Sequence, residues 1–147
     1  DLDVLEPLAQ GSPRRLLSLL EGGGLAVQAR IEKIFTNLPA LDVGAAHALA
    51  DELQPAAQEQ KFELFYDLFF AYLARLVRAG ASGEGPAGDV AAAQRLMGAG
   101  NGAGKLATFA QLWETLARDK AEALALNLDR KSLILDTLSR LETAARR

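Results

Sequence analysis

The chain lacks cysteine altogether, which excludes disulfide bonds and thiolate metal sites. It has a single histidine, His47, and without a second histidine nearby this imidazole is a poor metal-ligand candidate. No apolar run approaches the roughly 18 residues that a membrane-spanning helix needs. Long blocks of one charge sign are also missing, and the net charge is only −3. A dedicated nucleic-acid-binding protein with a basic face is therefore not expected.

What the chain does have is apolar residues, which make up 50% of its 147 positions. That length predicts one domain, or one domain and the end of another, with a core large enough to fold without cross-links. The first residues, Asp1 to Val4, show neither an initiator methionine nor a signal-peptide pattern. We therefore expect part of a longer protein, and the absence of cysteine is compatible with a cytoplasmic location.

Alanine and leucine dominate the sequence and β-branched residues are few, so helix propensity is high throughout. No stretch alternates apolar and polar residues with a period of two. The sequence thus predicts an all-α fold, a helical bundle of about seven to eight helices. The predicted helices span residues 2–10, 13–21, 25–38, 43–53, 58–79, 90–97, 106–126 and 131–145.

Glycine-rich breaks and one strongly apolar helix organise the predicted bundle. The Gly22-Gly23-Gly24 run is a strong helix breaker, and it predicts a boundary between a small N-terminal piece and the main bundle. The phenylalanine-rich helix at 58–79 is apolar around most of its circumference, so we place it at the centre. Residues 81–88 and 98–104 are predicted to be loops.

Three patterns resemble catalytic or nucleotide-binding motifs but have simpler explanations. Residues 99–106 look like a phosphate-binding loop, but Ala99 replaces its first glycine and Leu106 its hydroxyl residue, so we predict a flexible connector. His47 and Asp51 lie four residues apart and predict a surface helix pair. No serine or threonine has a histidine close in sequence that could act as its base. We therefore expect no enzyme activity from this chain.

The last two predicted helices carry the strongest packing signal. The final helix has an apolar stripe with leucines beside it, which can serve two neighbours at once; the stripe is Ile134, Leu138, Leu141 and Ala145, flanked by Leu133 and Leu135. Either one of those neighbours is another subunit or all of these residues are internal core, and the sequence leaves both open. Trp113 lies four residues after Phe109, which predicts a pair on one helix face. The candidate partner-contact residues are Leu133, Ile134, Leu138, Leu141 and Trp113.

Three segments of the chain resemble, in order, segments of bacterial DNA polymerase III delta-prime subunits, which are part of the clamp loader. Residues 8–19, LAQGSPRRLLSL, resemble the L-A-x-G-S-P-G-x-A-L-x-L segment of that family. Residues 62–80 resemble its long collar helix. Trp113-Glu114 together with residues 125–131, ALNLDRK, resembles its closing helix pair with an N-x-[DN]-R-[KE] joint.

This resemblance implies a non-catalytic assembly role. Residues 1–23 would be the end of a helical lid domain, and residues 24–147 a helical collar domain that joins neighbouring subunits. The implied partners are the other clamp-loader subunits, delta and gamma/tau. DNA would be reached only through the complex, and no membrane, cofactor, metal or small-molecule substrate is implied. Arg14 stands where related motor subunits carry a sensor-2 arginine, so it is a candidate for contact with a nucleotide phosphate; the alternative is a surface position in a non-hydrolysing subunit.

Other functions stay open on the sequence alone. A ligand-sensing helical module would line an apolar pocket with the phenylalanine-rich helix. A stand-alone protein-interaction module would need no clamp loader. Within the clamp loader, the collar domain of another subunit would show the same features.

Overall fold

The computed structural model describes residues 23–98 and 103–146, and this part of the chain is all-helical, as predicted. The six helices predicted within these residues are all present, and the two predicted at 2–10 and 13–21 lie outside them. A short 3₁₀ turn at Ala56–Gln58 precedes the third helix. The helices are α1 (Gly24–Asn37), α2 (Val43–Leu53), α3 (Glu59–Ser82), α4 (Ala87–Met97), α5 (Ala103–Ala125) and α6 (Arg130–Arg146).

The phenylalanine-rich helix α3 occupies the centre of the bundle, as its apolar circumference predicts. It packs against α1, α4 and α5 and also contacts α2. Its aromatic residues Phe62, Phe65, Tyr66 and Phe69 are completely buried. Their rings meet in tilted and edge-to-face arrangements, with centroids between 5.1 and 5.8 Å apart, which is the preferred geometry of packed aromatic pairs. The aromatic residues of α3 are therefore packed in the core.

The last helix, α6, closes the bundle by packing against α2 and α5. One buried polar contact accompanies this packing. The Thr137 hydroxyl donates to the Leu133 carbonyl at 2.9 Å and so accepts from the Tyr66 hydroxyl, also at 2.9 Å. Burial raises the pKa of Tyr66 well above its usual value, so its hydroxyl stays a donor. This bond satisfies a buried polar group that would otherwise destabilise the core.

Side chains cap several helix ends, two of them from elements distant in sequence. The Asp42 carboxylate accepts from the Ala45 amide at 3.0 Å, which confirms it as the predicted N-cap of α2. At the C-terminus of α1, Arg95 of α4 donates to the Phe35 and Leu38 carbonyls. Lys105 of α5 donates to the Ala145 carbonyl near the end of α6 at 2.6 Å. Such bonds satisfy carbonyls that have no partner within their own helix.

The glycine-rich stretch predicted as a loop at 81–88 is shorter than expected. Helix α3 continues to Ser82 and α4 begins at Ala87, so the prediction is wrong at both ends. At the α3 end the helix continues through Gly80, where α3 approaches its neighbours closely enough to leave no room for a larger residue. A β-carbon at Gly80 would lie 3.2 Å from the Met97 sulfur and 3.3 Å from Leu106 Cδ1. Of the second predicted loop, 98–104, the last two residues belong to α5, and 99–102 lie outside the described residues.

Candidate protein interface at the α5–α6 joint

The joint between α5 and α6 is a tight, hydrogen-bonded turn. Asn127 adopts the left-handed conformation with φ of 55°. Its amide donates to the Leu124 carbonyl at 3.2 Å, and the Leu128 amide donates to the Ala123 carbonyl at 2.8 Å. This pair of bonds is the Schellman motif, which ends a helix and places the second residue after it against the last turn. The motif therefore fixes the position of Leu128.

Substitutions at Asn127 should show how strongly this turn contributes to stability. Asn127→Ala is expected to lower the free energy of unfolding by about 1 kcal/mol, because a β-carbon without a compensating polar group is strained at positive φ. Asn127→Gly relieves that strain and should leave stability within about 0.5 kcal/mol of the wild type or raise it. Chemical denaturation of both variants measures the difference. Equal stability of the alanine and glycine variants would contradict the left-handed assignment.

Asp129 starts α6 as an exposed N-cap. Its carboxylate accepts from the Ser132 hydroxyl at 2.7 Å and from the Ser132 amide at 3.0 Å. These two hydrogen bonds, helped by nearby Lys131, hold the pKa of Asp129 below its usual value, because they stabilise the ionised form. The cap satisfies one amide of the first turn of α6.

Because the pKa of Asp129 is lower in the folded state, the cap should make stability depend on pH. Its contribution is fully present above the pKa of the unfolded chain and is lost as the pH falls through the folded-state pKa. We expect the free energy of unfolding to fall as the pH drops below about 4. Asp129→Asn should reduce this slope without removing it, because the pKa of Glu52, which is bonded to Lys61 and Arg30, is lowered as well. Denaturation at several pH values tests this, and an unchanged slope in the variant would contradict it.

Large apolar side chains are exposed around this joint. Leu124, Leu126 and Leu128 are 39%, 61% and 56% exposed. Across the described residues, six large apolar side chains are exposed, and three of them fall within five consecutive positions here. Single exposed leucines need no explanation, whereas a cluster of them marks a surface suited to protein contact. The remaining three are Leu25, Val43 and Trp113.

Beside these leucines lies an open groove between α5 and α6, with a volume of about 480 Å³. Its apolar surface comes from Ala123, Leu128 and Leu133, and carboxylates surround it. We call it the α5–α6 groove. Its full lining is Asp119, Glu122, Ala123, Leu128, Asp129, Ser132, Leu133, Asp136 and Arg140.

The structure places most of the predicted partner-contact residues inside the chain. Ile134, Leu138 and Leu141 are completely buried, and Leu133 is 8% exposed at the edge of the groove. The two neighbours of α6 are α2 and α5 of the same chain. This arrangement matches the alternative in which the stripe on the final helix is internal core. A partner could not reach the first three in this fold.

Trp113, the fifth candidate, lies on the surface of α5 outside the groove. Its indole N–H donates to the Phe70 carbonyl at 3.1 Å, and its ring meets the Phe70 ring edge-to-face at 6.2 Å. The predicted partner Phe109 is instead buried in the core. Trp113 is 37% exposed, so part of its ring stays available to another molecule.

Sequence reasoning did not select Leu124, Leu126 and Leu128 as contact residues, although a signal was present. Only Leu124 belongs to α5; Leu126 and Leu128 lie in the turn that follows Ala125. The sequence predicts a helix that continues to residue 126, and a helix face repeats every three or four residues, so one face could not bury leucines at positions 124 and 126 together. That spacing near the helix end is the signal that at least one of these leucines is exposed.

Three other residues singled out in the sequence have different outcomes. His47 is exposed, but Asp51 forms its salt bridge with Lys131 at 2.6 Å. The predicted His47–Asp51 pair is thus wrong, because the longer lysine reaches from α6 to the same carboxylate. Lys105, from the stretch that resembles a phosphate-binding loop, is bonded to the α6 terminus. Arg14 lies outside the described residues, as do residues 1–22 of the predicted lid segment 1–23.

A second, smaller depression lies between α1 and α2. Its volume is about 220 Å³, below the usual range of about 300–1,000 Å³ for small-molecule sites. The phenylalanine-rich helix contributes to neither this depression nor the α5–α6 groove. Its lining is Arg30, Lys33, Ile34, Asn37, Leu41, Asp42, Ala45, Ala48 and Leu49.

Comparison of this chain with protein-family models, curated proteins and solved structures found no match. No helix in the described ranges is long and apolar enough to cross a membrane. Function is therefore inferred from the exposed leucines, the groove and the order of the three sequence segments.

Proposed function

We propose that this chain is a non-catalytic assembly domain, the collar domain of a bacterial clamp-loader delta-prime subunit acting in the cytoplasm. It would hold the delta and gamma/tau subunits in place, so that ATP-driven changes in their motor domains open the sliding clamp for DNA replication. Two of the three family-like segments fall on matching elements of the fold. Residues 62–80 lie in the long central helix α3, and residues 125–131 span the joint between α5 and α6.

The exposed leucine cluster at the joint is the observation that carries the assembly role. Leu126 and Leu128 remain more than half exposed, although each would contribute about 1.5–3 kcal/mol if fully buried. The Schellman turn and the Asp129 cap hold this surface in a defined shape. A surface that is apolar and preorganised loses little entropy when a partner covers it. A stable partner would bury about 800 Å² of this chain.

Co-elution on a sizing column tests this function. The chain would be mixed with the C-terminal domains of the delta and gamma/tau subunits at moderate salt. The proposal predicts a stable complex with a fixed stoichiometry. A folded chain that elutes as a monomer in the presence of both partners would contradict the clamp-loader assignment. Leu126→Asp should weaken the complex, whereas Val43→Asp, an equally exposed position on α2, serves as the matched control.

A further inference from the structure

We propose that the α5–α6 groove is the docking site for a basic amphipathic helix of a partner protein. This inference rests on the proposed assembly function and adds the chemistry of the partner to it. Three properties of the groove point to such an occupant: its apolar floor, the charge of its rim and its shape between two helices.

The floor of the groove is apolar but open to water. Leu128 lies against the last turn of α5 because its amide is bonded to the Ala123 carbonyl, and both residues line the groove. Leu133 completes the floor from α6. Leu128 is 56% exposed, so leucine-sized side chains of a partner would find an apolar surface there. Covering that surface removes it from water, which favours association.

The rim of the groove is strongly acidic. Its lining contains four carboxylates and one guanidinium, that of Arg140, a net charge of −3 that equals the net charge of the whole chain. Arg140 lies 2.9 Å from Asp136 and 3.5 Å from Asp119, so one cation is shared by two acids. The Asp119 oxygen that faces Arg140 is buried and accepts no hydrogen bond within the described residues. The rim is therefore complementary to a partner that brings lysine or arginine.

The shape of the groove suits a helix. The joint of four residues, 126–129, separates α5 from α6, and such a short connection turns the two helices back along each other. Ser132, Asp136 and Arg140 recur every four residues along the α6 wall, over about 12 Å at 1.5 Å per residue. Arg140 of α6 lies 3.5 Å from Asp119 of α5, so the two helices flank the groove, and a third helix can pack there with its apolar face inward.

A second copy of this chain is a poorer occupant by charge. The chain carries 19 acidic and 16 basic residues, so two copies repel each other on balance. An acidic groove brought against an acidic protein would add to that repulsion. A basic partner would be attracted to the groove, and its binding should weaken as salt screens the attraction.

A fluorescent peptide of about 14 residues, four helical turns, tests the proposal by anisotropy. It carries leucines at three- and four-residue spacing and lysines on both flanks. We expect binding to the wild type that weakens with salt. Leu128→Asp removes the most exposed part of the apolar floor and should weaken binding about tenfold or more. Glu122→Lys reverses one exposed rim charge and should weaken binding about threefold at low salt. Val43→Asp should bind like the wild type, and circular dichroism checks that each variant is folded.

Several results would overturn the groove assignment. Equal binding by Leu128→Asp and Val43→Asp would do so, as would equal binding of a peptide with glutamate in place of lysine. A dimer in sedimentation that Leu128→Asp abolishes would identify a second copy as the occupant. Co-elution with clamp-loader domains that survives Leu128→Asp would also reject the groove but leave the assembly function standing.

The opposite result is also distinguishable. Peptide binding by a chain that does not bind those domains would support the groove and reject the clamp-loader assignment.

Discussion

Leu138→Asp should abolish the folded state of this domain. Leu138 is completely buried where α6 packs between α2 and α5. The substitution removes a core side chain, at a cost of about 2–5 kcal/mol, and places a carboxylate where it finds no water. Burying that charge adds several kcal/mol more. The sum is comparable to the whole stability of an ordinary domain, about 5–15 kcal/mol. Circular dichroism and a thermal melt would show the loss.

Ser139→Asp is the matched control, because Ser139 is the exposed neighbour of Leu138 on the same helix. It introduces the same charge one residue further along and should change the free energy of unfolding by less than about 0.5 kcal/mol. If Leu138→Asp stayed folded and lost only partner binding, Leu138 would be an interface residue. The internal packing of α6 would then be contradicted.

Phe69→Ala should lower the free energy of unfolding by about 3–5 kcal/mol. Phe69 is completely buried in the middle of α3. Its ring centroid lies 5.7 Å from that of Phe35 and 5.8 Å from that of Phe65, so truncation leaves a cavity among aromatic rings that cannot easily collapse. Phe70, the next residue, is only partly buried and meets Trp113 near the surface. Phe70→Ala should therefore cost about 1–2 kcal/mol, and denaturant titration separates the two.

Phe69→Ala also distinguishes a packed aromatic core from a ligand-sensing pocket. If the aromatic residues of α3 are packed against one another, a small apolar molecule such as benzene should stabilise Phe69→Ala, which has a cavity, and leave the wild type unchanged. A ligand-sensing module predicts the opposite order, because its pocket already exists in the wild type. A thermal shift of the wild type with benzene would favour the sensing function over assembly.

Most of the fold could be predicted from the sequence because its signals are local. Asp42 before an apolar run predicts the start of α2, and the carboxylate does cap that helix. The apolar circumference of residues 58–79 predicts the central position of α3. The failures occur where tertiary contact overrides a local preference. The glycine at position 80 predicts the end of a helix, but α3 continues through it, and a larger side chain there would collide with Met97 and Leu106.

The candidate interface was harder to predict because exposure depends on tertiary packing. The apolar stripe on α6 is equally compatible with a core position and with a contact surface. Ile134 and Leu138 are internal because α2 packs against them. The exposed leucines at 124, 126 and 128 follow from the Schellman turn. The acidic groove needs both α5 and α6 in place, since its carboxylates come from separate parts of the chain.

Amide hydrogen exchange tests the central claim, that the α5–α6 joint is the assembly surface, most directly. The chain would be measured alone and then mixed with the C-terminal domains of the delta and gamma/tau subunits. We expect slower exchange at residues 124–136 in the mixture and no change at the start of α2 around Val43. Identical exchange profiles with and without the partners would contradict the account. Protection confined to α2 would place the contact on α2 and would also contradict the account.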